Sequence, residues 1–266
     1  MNWMKYRYIY LLISGTVLIS GIFSMLKWGF KVGIDFTGGA VAEYKLQNGE
    51  NKVYRYGLLS ESEIEKIKAD FKSANATEVS FESVGPSIGP ELIKKTVYAL
   101  LISAITILFW IAYQFKSIKF GISATLATFH DTLILLGSFS LLGHFYGAEV
   151  DFLFVTAVLT ILSFSVHDTI VVFDRIREMR KKTYGEVKDV ANEALSETMV
   201  RSLNNSFTII FMLVALILMG GESIKWFAVA LLVGTISGTY SSPFVAVPIL
   251  VTWEEIQNKL KLKNKK

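Results

Sequence analysis

The sequence predicts a polytopic α-helical membrane protein with six transmembrane helices and a small α+β extracytoplasmic domain between the first and the second. Two observations lead to this class. The 266-residue chain is 52% hydrophobic and only 19% charged, whereas soluble domains average about 25% charged residues. Its apolar residues are also clustered, and a spanning helix needs about 20 of them in one stretch. Six windows qualify: 8–26, 96–113, 120–143, 152–173, 203–220 and 226–252.

The first window is interpreted as an uncleaved membrane anchor, within an N-terminal part that covers residues 1–27. Lys5 and Arg7 precede the apolar run, as basic residues do in a secretory signal peptide. However, the stretch "SGIFSMLKWG" offers no convincing small-x-small cleavage site, and the run is long for a signal sequence. The chain also has no cysteine, which excludes disulfides and thiolate metal sites.

The positions of the basic residues predict that both termini are cytoplasmic. Lys and Arg are concentrated before the first window, between the second and third, after the fourth, and in a basic tail at 254–266. Because Lys and Arg near span ends stay in the cytoplasm, this pattern indicates a multi-pass protein of the cytoplasmic (inner) membrane, in contact with membrane lipid. The net charge of +4 is therefore explained by topology, and no nucleic-acid partner is expected.

Residues 28–90 are the main hydrophilic block outside the spans and predict the small α+β domain. The stretches "AVAEYKL", "NKVYRYG" and "TEVSFESV" predict strands, with "NGEN" as a turn. The stretch "SESEIEKIKADFKSA" predicts a helix whose N-cap, Ser60, forms a capping box with Glu63. Glycine and proline residues lie where the α+β domain connects to the second span, which predicts a hinge there. The hinge residues are Gly85, Pro86, Gly89 and Pro90.

Residues 91–253 carry the other five transmembrane helices and one cytoplasmic segment, residues 174–202. The segment is amphipathic, with acidic residues opposite an apolar stripe. The stripe consists of Val187, Val190, Ala194 and Leu195. This pattern fits either an interfacial helix that lies on the membrane or a soluble connector helix.

The last window is too long to cross the membrane straight. Pro243 and Pro248 remove backbone donors and are expected to kink it. Gly234, Gly238 and Ser242 recur every four residues and form a flat face that another helix can approach closely. That other helix belongs either to a second subunit or to this chain.

Five ionisable residues in or beside the apolar windows predict the functional site: His130, Asp131, His167, Asp168 and Arg201. A charged group at the bilayer centre costs about 2.5–3.5 kcal/mol on insertion scales, so such groups usually line transport pathways. Because adjacent helical residues point about 100° apart, each His–Asp pair is expected to turn one member inward. A carboxylate beside a mobile Arg suits a proton relay, and the alternative is a static ion pair between Asp168 and Arg201. A sodium ion could use the same carboxylate.

Enzymatic chemistry is not expected. The chain has no HExxH, GxSxG or phosphate-loop motif, and "GIDFTGG" follows a membrane anchor, outside any strand–turn–helix context. A metal site formed by the two His–Asp pairs is conceivable, because His and carboxylate suit zinc, but the adjacency within each pair disfavours it. We therefore predict no metal, no cofactor and no catalytic residue.

Several motifs, in order along the chain, resemble the SecF family, the smaller partners in bacterial SecD–SecF protein-export pairs of the RND superfamily. They are "GIDFTGG" (33–39), "VGPSIGPEL" (84–92), "HDT" (130–132), "SVHDTIVVFDRIRE" (165–178), "SLNNS" and "SGTYSSPFVAVP". The resemblance covers essentially the whole chain. It implies that the proton-motive force helps exported preproteins to leave the SecYEG channel, after the ATPase SecA has pushed them in. SecD is the implied partner.

The resemblance also implies that Asp168 and Arg201 support proton flow and that the extracytoplasmic domain moves as protons pass. The family usually has Asn where this chain has His167, and His titrates near neutral pH, so the pH dependence stays open. Half of a proton-driven RND small-molecule exporter is the alternative function. A six-span chain without an internal repeat should in either case need a second six-span partner.

Overall fold

The computed structural model describes residues 2–47, 49–85, 88–182 and 185–263. A 3₁₀ turn, Trp3–Tyr6, precedes the regular elements. In chain order these are α1 (Arg7–Trp28), α2 (Ile34–Thr37), β1 (Gly39–Lys45), β2 (Asn51–Tyr56), α3 (Glu61–Ser73), β3 (Thr77–Val84), α4 (Ile88–Phe115), α5 (Ile118–Tyr146), α6 (Phe152–Lys182), α7 (Val187–Met219), α8 (Glu222–Ser241), a π-helical segment (Ser242–Ala246) and α9 (Val247–Lys263). Contacts divide the chain into a helical unit and a smaller unit, Val32–Ala99 with Glu149–Phe152.

Within the described residues, six helical stretches are long and apolar enough to cross a membrane, which confirms the six predicted spans. They are Trp3–Trp28, Gly89–Phe115, Ile118–Tyr146, Phe152–Lys182, Val187–Met219 and Glu222–Lys261. Each of them is longer than its apolar window, because helix continues into charged residues that a hydropathy window leaves out.

The smaller unit contains an antiparallel three-stranded sheet in the order β2-β1-β3. Its strands and helix confirm the predicted elements, and Ser60 and Glu63 form the predicted capping box. Donation from the Ser60 hydroxyl and backbone N–H lowers the pKa of Glu63. One face of the sheet has an apolar core in which Tyr44 stacks on Phe71 of α3, with ring centroids 3.9 Å apart.

The "GIDFTGG" motif forms α2 and the turn into β1. The carboxylate of Asp35 accepts a hydrogen bond of 2.8 Å from the backbone N–H of Phe152, the first residue of α6. Gly39 has a φ of +132°, and a side chain there would meet the carbonyl oxygen of Tyr56, so the turn requires glycine. The motif therefore caps the first turn of a spanning helix.

The predicted hinge lies partly inside α4. Gly89 and Pro90 belong to the first turn of that helix, and a side chain at position 89 would overlap the carbonyl of Phe36. Gly85 precedes the helix and has nothing within 4 Å of the position of an added Cβ. Pro86 lies outside the described residues. Gly85 is thus the hinge residue with space around it, and the hinge itself stays a prediction.

The amphipathic helix predicted within the segment 174–202, from "GEVKDVANEALSETMV", is not separate from the fifth span. The first part of the segment forms the last turns of α6, and its second part forms the first turns of α7. The predicted apolar stripe is largely buried: Val190, Ala194 and Leu195 belong to a core cluster with Met4 and Ile176. The stripe therefore packs against protein, which explains its amphipathic pattern without a membrane surface.

The last span changes its hydrogen-bond pattern where the sequence predicted a kink. Pro243 lies in the first turn of the π-helical segment, as expected for a residue that cannot donate in a helix. The flat face of α8 is occupied within this chain, because Gly234 packs against Ile161 and Gly238 against Ser165, both on α6. The alternative of a second subunit on this face is therefore wrong.

Candidate functional site

Asp168 lies on α6 inside the helical unit and is only 4% exposed. The hydroxyl of Ser202, on α7, donates a hydrogen bond of 2.6 Å to its Oδ2 atom. A buried carboxylate needs such a partner, because an unpaired charge in a low-dielectric site is strongly disfavoured. The bond links two spanning helices through a group that can gain or lose a proton.

Arg201 and His167, which were predicted to act with Asp168, both have exposed side chains in this structure. The side chain of Arg201 is exposed, and among the described residues the Asp168 carboxylate accepts a hydrogen bond from Ser202 alone. His167 is also exposed while Asp168 is buried, so this pair turns one member inward as predicted. The alternative of a static Asp168–Arg201 ion pair is not what the structure contains.

Asp131, on α5, has a much richer set of partners. It is 1% exposed, and its carboxylate accepts hydrogen bonds of 2.6 Å from Ser165 on α6 and from Ser237 and Ser241 on α8. The Nδ1 atom of His130 lies 3.1 Å from Oδ1. One carboxylate thus connects three helices at the middle of the bundle.

The expectation that each His–Asp pair has one inward member is wrong for His130 and Asp131. Both are buried, and their side chains contact each other. The backbone vectors of adjacent residues diverge by about 100°, but an imidazole is long enough to turn back over the neighbouring carboxylate. The Nε2 atom of His130 is buried and has no hydrogen-bond partner in the described part of the chain.

Two further buried hydroxyls, those of Thr169 and Ser242, directly follow Asp168 and Ser241 in the chain. They share a hydrogen bond of 2.9 Å, and each also lies within hydrogen-bond distance of the carbonyl oxygen of Ser165. The serines that bind the two carboxylates were not predicted as site residues, because a serine in a span is common and inexpensive to bury. The available signal was the spacing of Ser237 and Ser241, which share the small-residue face of α8.

Comparison with known proteins identifies the relatives of the chain. Residues 63–256 match the family described as "Protein export membrane protein SecD/SecF, C-terminal". The chain belongs to the SecD/SecF family. This confirms the resemblance carried by the sequence motifs.

Named relatives of this SecD/SecF protein are translocase subunits. The protein translocase subunit SecF of Thermobaculum terrenum is 38% identical, over 94% of this chain and 93% of the relative. The protein translocase subunit SecDF of Bacillus subtilis is 32% identical, over 94% of this chain and 37% of the relative. The chain therefore matches the whole of one relative and about a third of a longer one.

Two solved structures share the fold. The crystal structure of SecDF from Thermus thermophilus, described as a translocon-associated membrane protein, has a TM-score of 0.86 and 29% identity, over 96% of this chain and 39% of that one. A SecDF structure in a super-membrane-facing form has a TM-score of 0.76 and 27% identity, over 99% of this chain and 40% of that one. A polytopic helical fold with a small α+β insertion is thus shared with SecDF.

Ion pairs fix the basic ends of the spans in this SecD/SecF protein. Arg7 of α1 binds both carboxylate oxygens of Glu255 on α9, at 2.7 and 2.6 Å. Arg180 of α6 binds the adjacent Glu254 at 2.7 Å. Arg175 of α6 pairs with Glu197 of α7. The last of these pairs joins α6 to α7 about two helical turns after Asp168, and the other two join α1 and α6 to α9.

The described residues contain no group of three or more His, Asp or Glu side chains arranged to hold a metal ion. The chemistry offered by the site is therefore that of two buried carboxylates, one imidazole and several hydroxyls. Such groups bind, hold and release protons.

Proposed function

We propose that this chain is an accessory subunit of the Sec protein translocase that uses the proton-motive force, together with SecD, to promote protein export. The observation that supports it best is Asp168, a carboxylate that is buried between two spanning helices and, in the described part of the chain, accepts a hydrogen bond from one hydroxyl, that of Ser202. Its relatives are named protein translocase subunits. In this role it acts after the SecA-driven step, on preproteins that leave the SecYEG channel across the cytoplasmic membrane.

SecD is the proposed structural partner. The longer SecDF relatives contain a stretch that matches this chain and further sequence beyond it, which is expected if SecD and SecF act as one unit. The face of α4 supports the same proposal, because only 6% of its apolar window is buried within the chain. That face is available for membrane lipid and for SecD.

The proposed proton step is a change of partner at Asp168. The Ser202 hydroxyl can donate to the Asp168 carboxyl group whether or not that group carries a proton, so the proton can be held in this arrangement. Arg201 precedes Ser202 on α7 and points about 100° away, so a rotation of that helix exchanges a neutral donor for a cation. A cation beside a carboxylate favours its charged form, and the exchange therefore expels the proton. Helix rotation and proton release are coupled in this scheme.

The proposed orientation places the termini and the basic ends of α6 and α7 in the cytoplasm. The small α+β unit then faces the outside, where the exported chain emerges. Proton entry and movement of that unit are thus on the same side of the membrane, which lets the proton gradient drive release there.

Reconstitution with SecD and SecYEG in vesicles tests the proposal, with release of a translocating chain and ion flux as readouts. Asp168→Asn keeps the shape but cannot ionise. It should assemble normally with SecD and lose export driven by a proton gradient, while SecA-driven export is retained. Arg201→Met should be inactive and Arg201→Lys partly active, since Lys keeps the charge without the planar fork.

A matched control comes from His167→Asn, which changes an exposed neighbour of Asp168. This variant should retain activity and change only the pH profile. Full proton-dependent export by Asp168→Asn would refute the proton role. Export that follows a sodium gradient in place of the proton gradient would assign the site to the other ion.

A further inference from the structure

The Asp131 carboxylate is saturated with hydrogen-bond donors. Its Oδ1 atom faces Ser237 and His130, and its Oδ2 atom accepts from Ser165 and Ser241. An ionised carboxylate offers about four acceptor positions, so these four donors fill it. The hydroxyls of Ser165 and Ser237 have no other acceptor among the described residues.

Protonation of Asp131 lowers the number of hydrogen bonds that its carboxyl group can accept. A protonated carboxyl group carries a donor of its own and has fewer positions left for acceptance. At least one of the four surrounding donors then loses its acceptor and must turn away. Since Ser165 belongs to α6 and the other two serines to α8, the charge state of Asp131 controls contacts among α5, α6 and α8.

His130 provides a route for the proton. Its Nδ1 atom contacts the Asp131 carboxylate, and its Nε2 atom is buried without a partner in the described chain. A proton that arrives at Nε2 makes the ring an imidazolium, which then passes the Nδ1 proton to Oδ1. Asp131 becomes neutral, and the ring is neutral again with its proton on Nε2. The reverse transfer empties the site.

We propose that His130, Asp131 and the serines 165, 237 and 241 form a second proton-binding site. When Asp131 is ionised, its hydrogen bonds hold α5, α6 and α8 together. When Asp131 is protonated, these contacts loosen. The inference extends the proposed function, because it supplies a link between proton binding and helix movement. The movement is favoured at the end of α8, where the helix passes into the π-helical segment and its hydrogen-bond pattern is already interrupted.

The surroundings of the site contain few other charges. Among the described residues, no further ionisable side chain is hydrogen-bonded or ion-paired to Asp131 or to His130. The nearest on α6 is Asp168, three residues from Ser165, with its own donor in Ser202. His167 on the same helix is exposed. α8 has Glu222 and Lys225 in its first turn, far along the helix from Ser237.

The test measures the distance between α5 and α8 in the purified full chain in lipid vesicles. The chain has no cysteine, so Phe129→Cys on α5 and Ile236→Cys on α8, at 59% and 53% exposed positions, accept spin labels. The separation of the labels is measured by pulsed electron resonance from pH 5 to pH 9. We expect it to change with pH, and Asp131→Asn should hold it at its low-pH value throughout.

Three variants make the result specific. Ser241→Ala removes one of the hydrogen bonds to Asp131 and leaves the carboxylate in place, so it should reduce the pH-dependent change in label separation. This variant also tests the proposal if Asp131→Asn does not fold. His130→Asn keeps a donor near the Nδ1 position but cannot transfer a proton, and should slow the response to a pH jump by roughly 100-fold. Ser140→Ala removes a buried hydroxyl on α5 that bonds Ser24, outside the cluster, and should change nothing.

The proposal is overturned if the label separation is independent of pH in the otherwise unsubstituted chain, or if Asp131→Asn and Ser241→Ala both respond as that chain does. Asp168→Asn separates this result from the proposed function. It should lose proton-driven export and keep the pH-dependent separation. If export survives in Asp168→Asn, the proposed function fails, while the distance measurement still decides the role of Asp131.

Discussion

Two buried aspartates in one bundle differ mainly in the number of donors around them. Among the described residues, Asp168 accepts from the hydroxyl of Ser202 alone, whereas Asp131 has three hydroxyls and an imidazole around it. A change of partner at Asp168 breaks one hydrogen bond, and a change at Asp131 disturbs four. Asp168 is therefore suited to rapid exchange in the cycle, and Asp131 to a change that rearranges its neighbours.

The first prediction concerns Ser202. Ser202→Ala leaves the buried carboxylate of Asp168 without its donor, and a hydrogen bond to a charged group contributes about 1.5–3 kcal/mol. Proton-driven export should fall by roughly tenfold or more, while Ser202→Thr, which keeps the hydroxyl, should restore it. Thr208→Val serves as the control, because among the described residues that hydroxyl donates only to the carbonyl of Asn204 on the same helix. Equal activity of Ser202→Ala and Thr208→Val in the vesicle assay would contradict the prediction.

The sequence was sufficient to find the carboxylates and not their partners. Asp131 and Asp168 stand out because a charge inside an apolar window is costly. Ser202 does not, since serine hydroxyls in spans commonly bond their own backbone, as Ser206 does here. The choice between Arg201 and Ser202 depends on the rotation of α7 about its axis, which no local pattern specifies.

At the scale of elements, α6 connects two features that are separate in the sequence. Its first residue, Phe152, is capped by Asp35 of the "GIDFTGG" motif, and its middle carries Asp168. Arg55 also pairs with Glu149, just before the helix, at 2.8 Å. Both contacts lie within the smaller unit and anchor the residues at the start of the helix that carries the proposed proton site.

The second prediction tests that anchor. Asp35→Ala removes the cap of α6, and such a loss costs about 0.5–2 kcal/mol. Asp35→Asn retains an oxygen acceptor and is the conservative variant. We expect Asp35→Ala to reduce proton-driven export more than it reduces the yield of the complex with SecD, with Asn near the unsubstituted level. A parallel loss of export and complex in both variants would indicate a folding role only.

The third prediction concerns the joint before α4. Gly85→Ala meets no neighbour, so any loss of export reflects reduced backbone freedom. Gly89→Ala collides with the backbone of Phe36 and should lower the thermal stability of the protein in detergent. Gly57→Ala, also in open space, is the control. If Gly85→Ala exports as well as Gly57→Ala, the hinge prediction is wrong.

Sequence patterns predicted most elements and failed where two elements join. Polar and apolar residues alternate along the strands, and the capping box marks the start of α3, so these local patterns were sufficient to predict the strands and the helix. The segment 174–202 was misjudged because its stripe is buried against residues such as Met4 and Ile176, which are distant in sequence. The small-residue face of α8 was visible in the sequence, but its partner, Ile161 of α6, was not.

At the scale of the whole molecule, the number of spans and the distribution of basic residues determine the expected orientation. Six spans place both ends of the chain on one side of the membrane. The four groups of Lys and Arg named in the sequence analysis then fall on that side, together with the ion pairs of α6, α7 and α9. A reversed orientation would place all of these clusters outside, against the usual retention of positive charge in the cytoplasm.

The fourth prediction tests this orientation with single cysteines in the cysteine-free chain. Ser73→Cys lies on the exposed end of α3, and Glu193→Cys lies on an exposed position in the early turns of α7. A membrane-impermeant maleimide added to intact cells, with the outer membrane permeabilised where one is present, should label the first site and not the second. After the cytoplasmic membrane is opened, both should react, which shows that Glu193→Cys is chemically accessible. Labelling of Glu193→Cys alone in intact cells would show that the orientation is the opposite one, and that protons reach Asp168 from the opposite side.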